Sequence, residues 1–172
     1  MEVIRFMKLK EPYGAFGNFY VAPFKDSTGT EWKTNEHYYQ AMKFSPESMM
    51  YDVDGLLKPI RMVINQAHNA WAAAKLGRRT DLPMREDWDE VKELYMFNGL
   101  RYKFTQHNDL RTLLVCSYPA CIIENNLKDS YWGCGPDDKG LNRLGNLLMK
   151  LRFELREEDA AKAGEAGVVP AQ

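Results

Sequence analysis

Apolar positions recur along this chain with two periods, and the switches between them place the elements. Short apolar runs, "VIRFM" near the start and "CIIEN" beyond the middle, read as strands, and "NFYVAPFKDSTGTEWKT" reads as two strands around a Ser-Thr-Gly turn. Helical spacing begins at "TNEHYYQAMKF", with Thr34 as its cap and Pro46 as its stop. In "KPIRMVINQAHNAWAAAKLG", Pro59 opens a helix, Ile60, Ile64, Ala67, Trp71 and Ala74 share a face, and Gly77 ends it. After the loop "RRTDLP", a long helix from about Asp87 to Phe104 carries a stripe of Trp88, Val91, Tyr95 and Tyr102. It does so despite Gly99, which costs about 1 kcal/mol relative to Ala. Asn108 caps a short helix, "DLRTLLVC".

A Gly-rich loop in "DSYWGCGPDDKGLNRLGNLLMKLRFELREE" then opens onto a helix striped with Leu141, Leu144, Leu148, Leu151 and Leu155. The predicted fold is α+β, mainly helical, with a small β-sheet. A single domain is expected over residues 1–157, followed by a disordered tail, 158–172, with too little apolar surface to bury.

The helix in "TNEHYYQAMKF" has no plain solvent face. At about 3.6 residues per turn, Glu36, Gln40 and Lys43 align beside Tyr39, while Tyr38 with Met42 and His37 with Ala41 and Phe44 form two further faces. A mostly buried helix results, yet a buried Glu and Lys are costly unless something satisfies them. The two lie about 10 Å apart along the axis, too far for an i,i+4 pair. Either both lean toward a ligand over Gln40, or each answers the dipole at its own end of the helix.

Composition narrows the classes. The chain has 172 residues, 45% hydrophobic and 27% charged, enough to bury a real core. A formal net charge of −1 gives no broad electrostatic grip on nucleic acid or an anionic membrane, so any phosphate recognition is local. Cys116, Cys121 and Cys134 form no CxxC pair, and "EHYYQ" lacks the second His of HExxH. Neither a metal nor another cofactor is expected. The absence of an h-region or a long apolar run leads to the expectation of a cytoplasmic protein without membrane contact.

The Gly-rich loop before the last helix has two readings: turn chemistry, or backbone N–H groups presented to phosphate at a helix start. It matches neither GxGxxG nor a Walker loop. "DSYWG" adds a carboxylate and an indole, suited to a ribose hydroxyl and a flat ring, although a Trp there also serves as a core anchor. His37 is most simply a packed, hydrogen-bonded helix residue, and no GxSxG elbow is present.

Five blocks, "YGAFGNF", "EWKTNEHYYQAMKF", "AAKLGRRTDLPMREDW", "YKFTQHNDL" and "DSYWGCGPDDKGLNRLGNLLMKLR", stand in the order and spacing of the NADAR family, the YbiA-like N-glycosidases, which the chain resembles from about Ile4 to Leu155. The resemblance implies a largely helical fold, a pocket for a ribosyl phosphate or ADP-ribose, and hydrolysis of a C–N glycosidic bond. The substrate it implies is ADP-ribosylated guanine in nucleic acid, with a DNA ADP-ribosyltransferase toxin as a cognate partner. Its alternatives are a ribosylaminopyrimidine phosphate of riboflavin synthesis, or ADP-ribose bound without chemistry.

By the same resemblance, Glu36 is the essential carboxylate and Lys43 the amine beside it. Asn18, Phe19, Arg78, Trp88, Asp129, Trp132, Gly133 and Asn142 bind substrate or shape its site. Departures from the family pattern are Lys33 for a usual Pro, Gly17 for Ser, Cys134 for a frequent Asp, and "VCSYPACIIE" after Leu114 in place of a short Thr-centred turn. These bear on the leaving-group side.

The chemistry suits the polar stripe. Breaking a ribosyl C–N bond builds an oxocarbenium-like sugar, which a carboxylate near C1′ stabilises or supplies with activated water. A lysine kept neutral by desolvation offers a covalent route through a Schiff base.

Overall fold

The computed structural model describes residues 2–166. In chain order its elements begin with β1 (Val3–Phe6), β2 (Phe24–Lys25), β3 (Glu31–Trp32), α1 (Asn35–Met42), β4 (Met49–Tyr51) and β5 (Leu57–Pro59). They continue with α2 (Ile60–Asn65), α3 (Ala70–Gly77), α4 (Trp88–Gln106), α5 (Asn108–Cys116), β6 (Cys121–Glu124) and α6 (Arg143–Ala166). The α+β, mainly helical expectation is met, and each of the small sheets pairs two strands. Contacts gather the elements into two units, one of Lys8–His107 and the other of the first seven residues with those from Asn108 onward.

In the Lys8–His107 unit, α1 is the centre: all its residues are buried, and α2, α3 and α4 pack around it. Thr34, extended, accepts the His37 amide at 3.2 Å and so caps it as expected, a contribution of about 1 kcal/mol. The helix ends at Met42, ahead of Pro46. Gly99 explains itself here, because a Cβ at that point of α4 would lie 1.8 Å from Asn35 Oδ1 and 2.8 Å from the Tyr38 ring. The propensity lost at Gly99 is offset by the close approach of two helices. The inward stripe of α4 is Met96, Leu100, Lys103 and Phe104, with Tyr95 and Tyr102 only half-buried.

The helix expected from Pro59 to Gly77 is two. Asn69 leaves the helical conformation to cap α3, its side chain accepting the Ala72 amide at 2.9 Å, and the Ala67 carbonyl between the helices accepts from Lys33 Nζ and His37 Nε2. Trp71, placed on the buried stripe by its spacing, is 70% exposed in consequence. The two strands expected around the Ser-Thr-Gly turn shrink to two residues each, and a hairpin of β4 and β5 forms where no element was expected.

In the other unit, β1 and β6 pair in parallel, Val3 opposite Cys121, and α6 packs on β6 and α5. Leu144, Leu148, Leu151 and Leu155 are fully buried, as their spacing predicts. Leu141 precedes the helix and is 53% exposed. The expected tail is helical as far as Ala166, tied to α5 by Arg111, whose guanidinium donates twice to Asp159 at 2.8 and 2.9 Å. Residues 167–172 of that tail lie outside the described residues.

Candidate active site

The polar stripe of α1 forms a built cluster. Glu36 is buried, and Oε1 accepts from Gln40 Nε2 at 2.7 Å, one helical turn on. Its other oxygen has no hydrogen-bond partner among the described residues. Burial pushes the carboxyl above its ordinary range, against the pull of Gln40, Arg78 and Lys43. Lys43, at the end of α1, donates to the Gly77 carbonyl at 3.3 Å and lies 5.7 Å from the Tyr39 ring centre. Burial lowers its pKa, Glu36 opposes that shift, and Arg78 adds to it. The direction left open by the sequence is therefore downward, toward a neutral amine. Arg78 stands at the end of α3, exposed, and its guanidinium makes no hydrogen bond among the described residues.

Gly77 decides whether this cluster fits. A Cβ there would sit 2.1 Å from Gln40 Oε1, so only glycine lets α3 close over the Glu36–Gln40 pair. Gln40 Oε1 is itself buried without a hydrogen bond. Trp88 is buried and packs on Tyr39, ring centres 5.1 Å apart, so it shapes the wall behind Lys43. Asn18 holds the start of α1: its carbonyl accepts the Glu36 amide at 3.0 Å and its Oδ1 accepts from Asn35 Nδ2 at 2.9 Å. Phe19 follows and meets the exposed Trp71, ring centres 4.7 Å apart, in a cleft of about 260 Å³ that also includes Leu9, Val21 and His68. His37 is the packed residue expected. Its Nδ1 accepts from Thr34 Oγ1 at 2.8 Å and its Nε2 donates to the Ala67 carbonyl at 3.2 Å, so a neutral ring satisfies both.

Thus Asn18, Phe19, Glu36, Lys43, Arg78 and Trp88 all fall in the Lys8–His107 unit. Asp129, Trp132, Gly133 and Asn142 fall in the other, where they build one loop. Asp129 Oδ1 accepts the amides of Tyr131 and Trp132 at 2.9 and 2.8 Å, closing a turn. Gly133 has no room for a Cβ, which would meet Asn126 Cβ at 2.8 Å. Asn142, at φ 47°, accepts the Glu124 amide at 2.9 Å and donates to the Ile122 carbonyl at 2.8 Å, so its side chain continues the ladder of β6. The amides of Leu141, Asn142, Arg143 and Leu144 donate to the carbonyls of Ser130, Gly133, Tyr131 and Trp132. Of the two readings of this Gly-rich loop, those four amides serve turn chemistry. Trp132 is half-buried and packs edge-to-face on Tyr131, ring centres 5.1 Å apart.

Sequence reasoning placed Gln40 on the polar stripe with Glu36 and Lys43 but gave it no role of its own, and it read Gly77 only as a helix end. It also passed over Lys103, a cation on the apolar stripe of α4. Among the described residues, no three His, Cys, Asp or Glu side chains gather to hold a metal, and no helix is long and apolar enough to cross a membrane.

Comparison with known proteins finds relatives that cover most of the chain. The model of the NADAR domain matches residues 5–156. N-glycosidase YbiA of Escherichia coli is 40% identical over 156 residues, covering 91% of this chain and 90% of that protein. Its NMR structure superposes with a TM-score of 0.78 over 92% of this chain and 88% of that one. The riboflavin biosynthesis protein PYRR of Zea mays is 33% identical over 178 residues, which span 95% of this chain and 27% of that protein. With a domain model spanning nearly all its elements and a relative of like length at this identity, the chain belongs to the NADAR family.

Proposed function

We propose that this chain is an N-glycosidase that hydrolyses a ribosyl C–N bond, with Glu36 as its working carboxylate. The observation that carries this reading is the buried Glu36–Gln40 pair, with one carboxylate oxygen held and the other uncommitted. A carboxyl raised by burial is suited to pass a proton to the leaving base or to take one from the attacking water. Arg78 supplies a cationic side to the same cluster, and Lys43 an amine that burial presses toward its neutral form. The name of the E. coli relative, N-glycosidase, supports the reaction class.

Within that class the first reading of the substrate is ADP-ribosylated guanine in nucleic acid, which the family resemblance implies, together with a toxin partner that makes the modification. A ribosylaminopyrimidine phosphate is the second, favoured by the name of the maize relative. A chain that only bound ADP-ribose would have no use for a buried carboxyl and a desolvated amine on one helix. The test offers both substrates side by side, with a chelator present, and follows release of the free base by chromatography. Release of either base supports the reaction class and selects the substrate; release of neither refutes the proposal.

A further inference from the structure

Lys103 lies inside α4 with no exposed surface, and no carboxylate pairs with it among the described residues. Its Nζ donates to the carbonyls of Ala15 and Gly17 at 2.5 and 3.0 Å, and it sits 5.5 and 5.2 Å from the ring centres of Tyr20 and Phe104. A buried cation held only by carbonyl dipoles and ring faces is costly, and an apolar side chain of similar volume fills the same space without that penalty. The donor matters through the next residue of the chain. Gly17 leads into Asn18, whose carbonyl accepts the Glu36 amide and whose side chain accepts from Asn35. The segment Ala15–Asn18 is therefore a bridge, fastened at one end by Lys103 and at the other to the first turn of α1.

We propose that Lys103 is a positioning residue for Glu36, fastening the Ala15–Gly17 backbone so that Asn18 holds the first turn of α1 in its working place; this role rests on the N-glycosidase reading. The rest of the surroundings fits. Gly14 has the Leu9 carbonyl 2.4 Å from where a Cβ would stand, so the segment turns tightly and has little slack of its own. Asn35, next to Glu36, leaves its Oδ1 buried without a hydrogen bond, so its Nδ2 bonds to Asn18 and Met96 are what hold it. Burial lowers the Lys103 pKa to about 7, so near neutrality the ammonium and the amine coexist. At about pH 6 the ammonium dominates and both bonds are charge-assisted.

The experiment compares wild type with Lys103→Met, which keeps the volume and removes the donor, at about pH 6. Two readouts are taken: exchange of the Glu36 amide by NMR, and base release at varied substrate concentration. The proposal expects at least about tenfold faster Glu36 exchange with the central α4 amides unchanged, and a kcat at least about tenfold lower with KM within about threefold. Wild-type exchange at Glu36 overturns the fastening, and faster exchange with wild-type kcat overturns the positioning role. If Lys103→Met does not fold, Lys103→Leu, which also removes the donor, takes its place under the same criteria. Should the wild type release no base, the N-glycosidase reading fails by itself, while the exchange measurement still decides whether Lys103 sets the Glu36 turn.

Discussion

Glu36 is pressed toward the neutral acid by burial and pulled toward the carboxylate by Gln40, Arg78 and Lys43, and this balance has a measurable sign. Its pKa is raised in the folded state, so the stability associated with its proton is fully present below the ordinary carboxyl value of about 4.3 and is lost as pH rises through the raised value. Glu36→Gln, neutral at every pH, should therefore melt above wild type at about pH 8 and lose that advantage near pH 4. Equal melting temperatures at the higher pH would contradict a burial-driven shift. Lys43 carries a different expectation. With its pKa lowered by burial, a neutral fraction can attack C1′ as the C–N bond breaks and the departing base takes up a proton; the sugar ring then opens to an iminium that water hydrolyses. Borohydride added during turnover should reduce that iminium to a stable sugar adduct on the peptide containing Lys43. Full turnover by Lys43→Arg without trapping would leave Lys43 an electrostatic role.

Among the elements, α1 was legible as a buried helix because Thr34, the apolar faces and the polar stripe all agreed. Other helices were legible only where periodicity was unopposed, as in Leu144, Leu148, Leu151 and Leu155 of α6. The single helix read from Pro59 to Gly77 failed because periodicity continued through Asn69, whose capping bond competes with helix interior geometry. That error put the exposed Trp71 in the core. Gly99 was visible as a local penalty, whereas its reason, the Asn35 and Tyr38 side chains of another helix, is a tertiary contact with no local trace. The consequence is testable. Gly99→Ala should destabilise the protein by more than about 1 kcal/mol in urea unfolding, the reverse of the effect expected from helix propensity alone. An increase in stability would mean that α1 and α4 do not approach as closely as the structure shows.

Across the chain as a whole, the parallel pairing of β1 with β6, far apart in sequence, was not readable, because each strand looks the same whatever its partner. Lys103 escaped notice for a related reason: on its own helix it reads as a charge near the C-terminal end, and only the folded chain brings the carbonyls of Ala15 and Gly17 to it. The resemblance named six candidate residues in one unit and four in the other, but what their side chains do in the fold was not readable from it. Asn18 holds the Asn35 side chain with its own side chain and the Glu36 amide with its carbonyl, Asn142 uses its side chain to hold backbone, and Asp129 closes a turn. Lys103 also leaves a mark on global stability. Its folded pKa of about 7 lies below the unfolded value of about 10.4, so the unfolded chain binds the extra proton between them and stability rises with pH across that window. Relative to Lys103→Met, wild type should gain up to about 1.4 kcal/mol per pH unit there. A constant difference between the two from about pH 7 to 10 would show that Lys103 is not desolvated.

Everything proposed for the site turns on whether the buried carboxylate of α1 performs the cleavage of a ribosyl C–N bond. Single-turnover base release by wild type and by Glu36→Gln, on whichever of the two substrates the wild type accepts, decides this when ligand affinity is measured on the same samples. Glu36→Gln should be slower by at least about 100-fold while binding within about tenfold of wild type, because size and hydrogen-bonding capacity are kept and only the ionisable proton is lost. Base release by Glu36→Gln at a rate comparable to wild type would remove Glu36 from the chemistry.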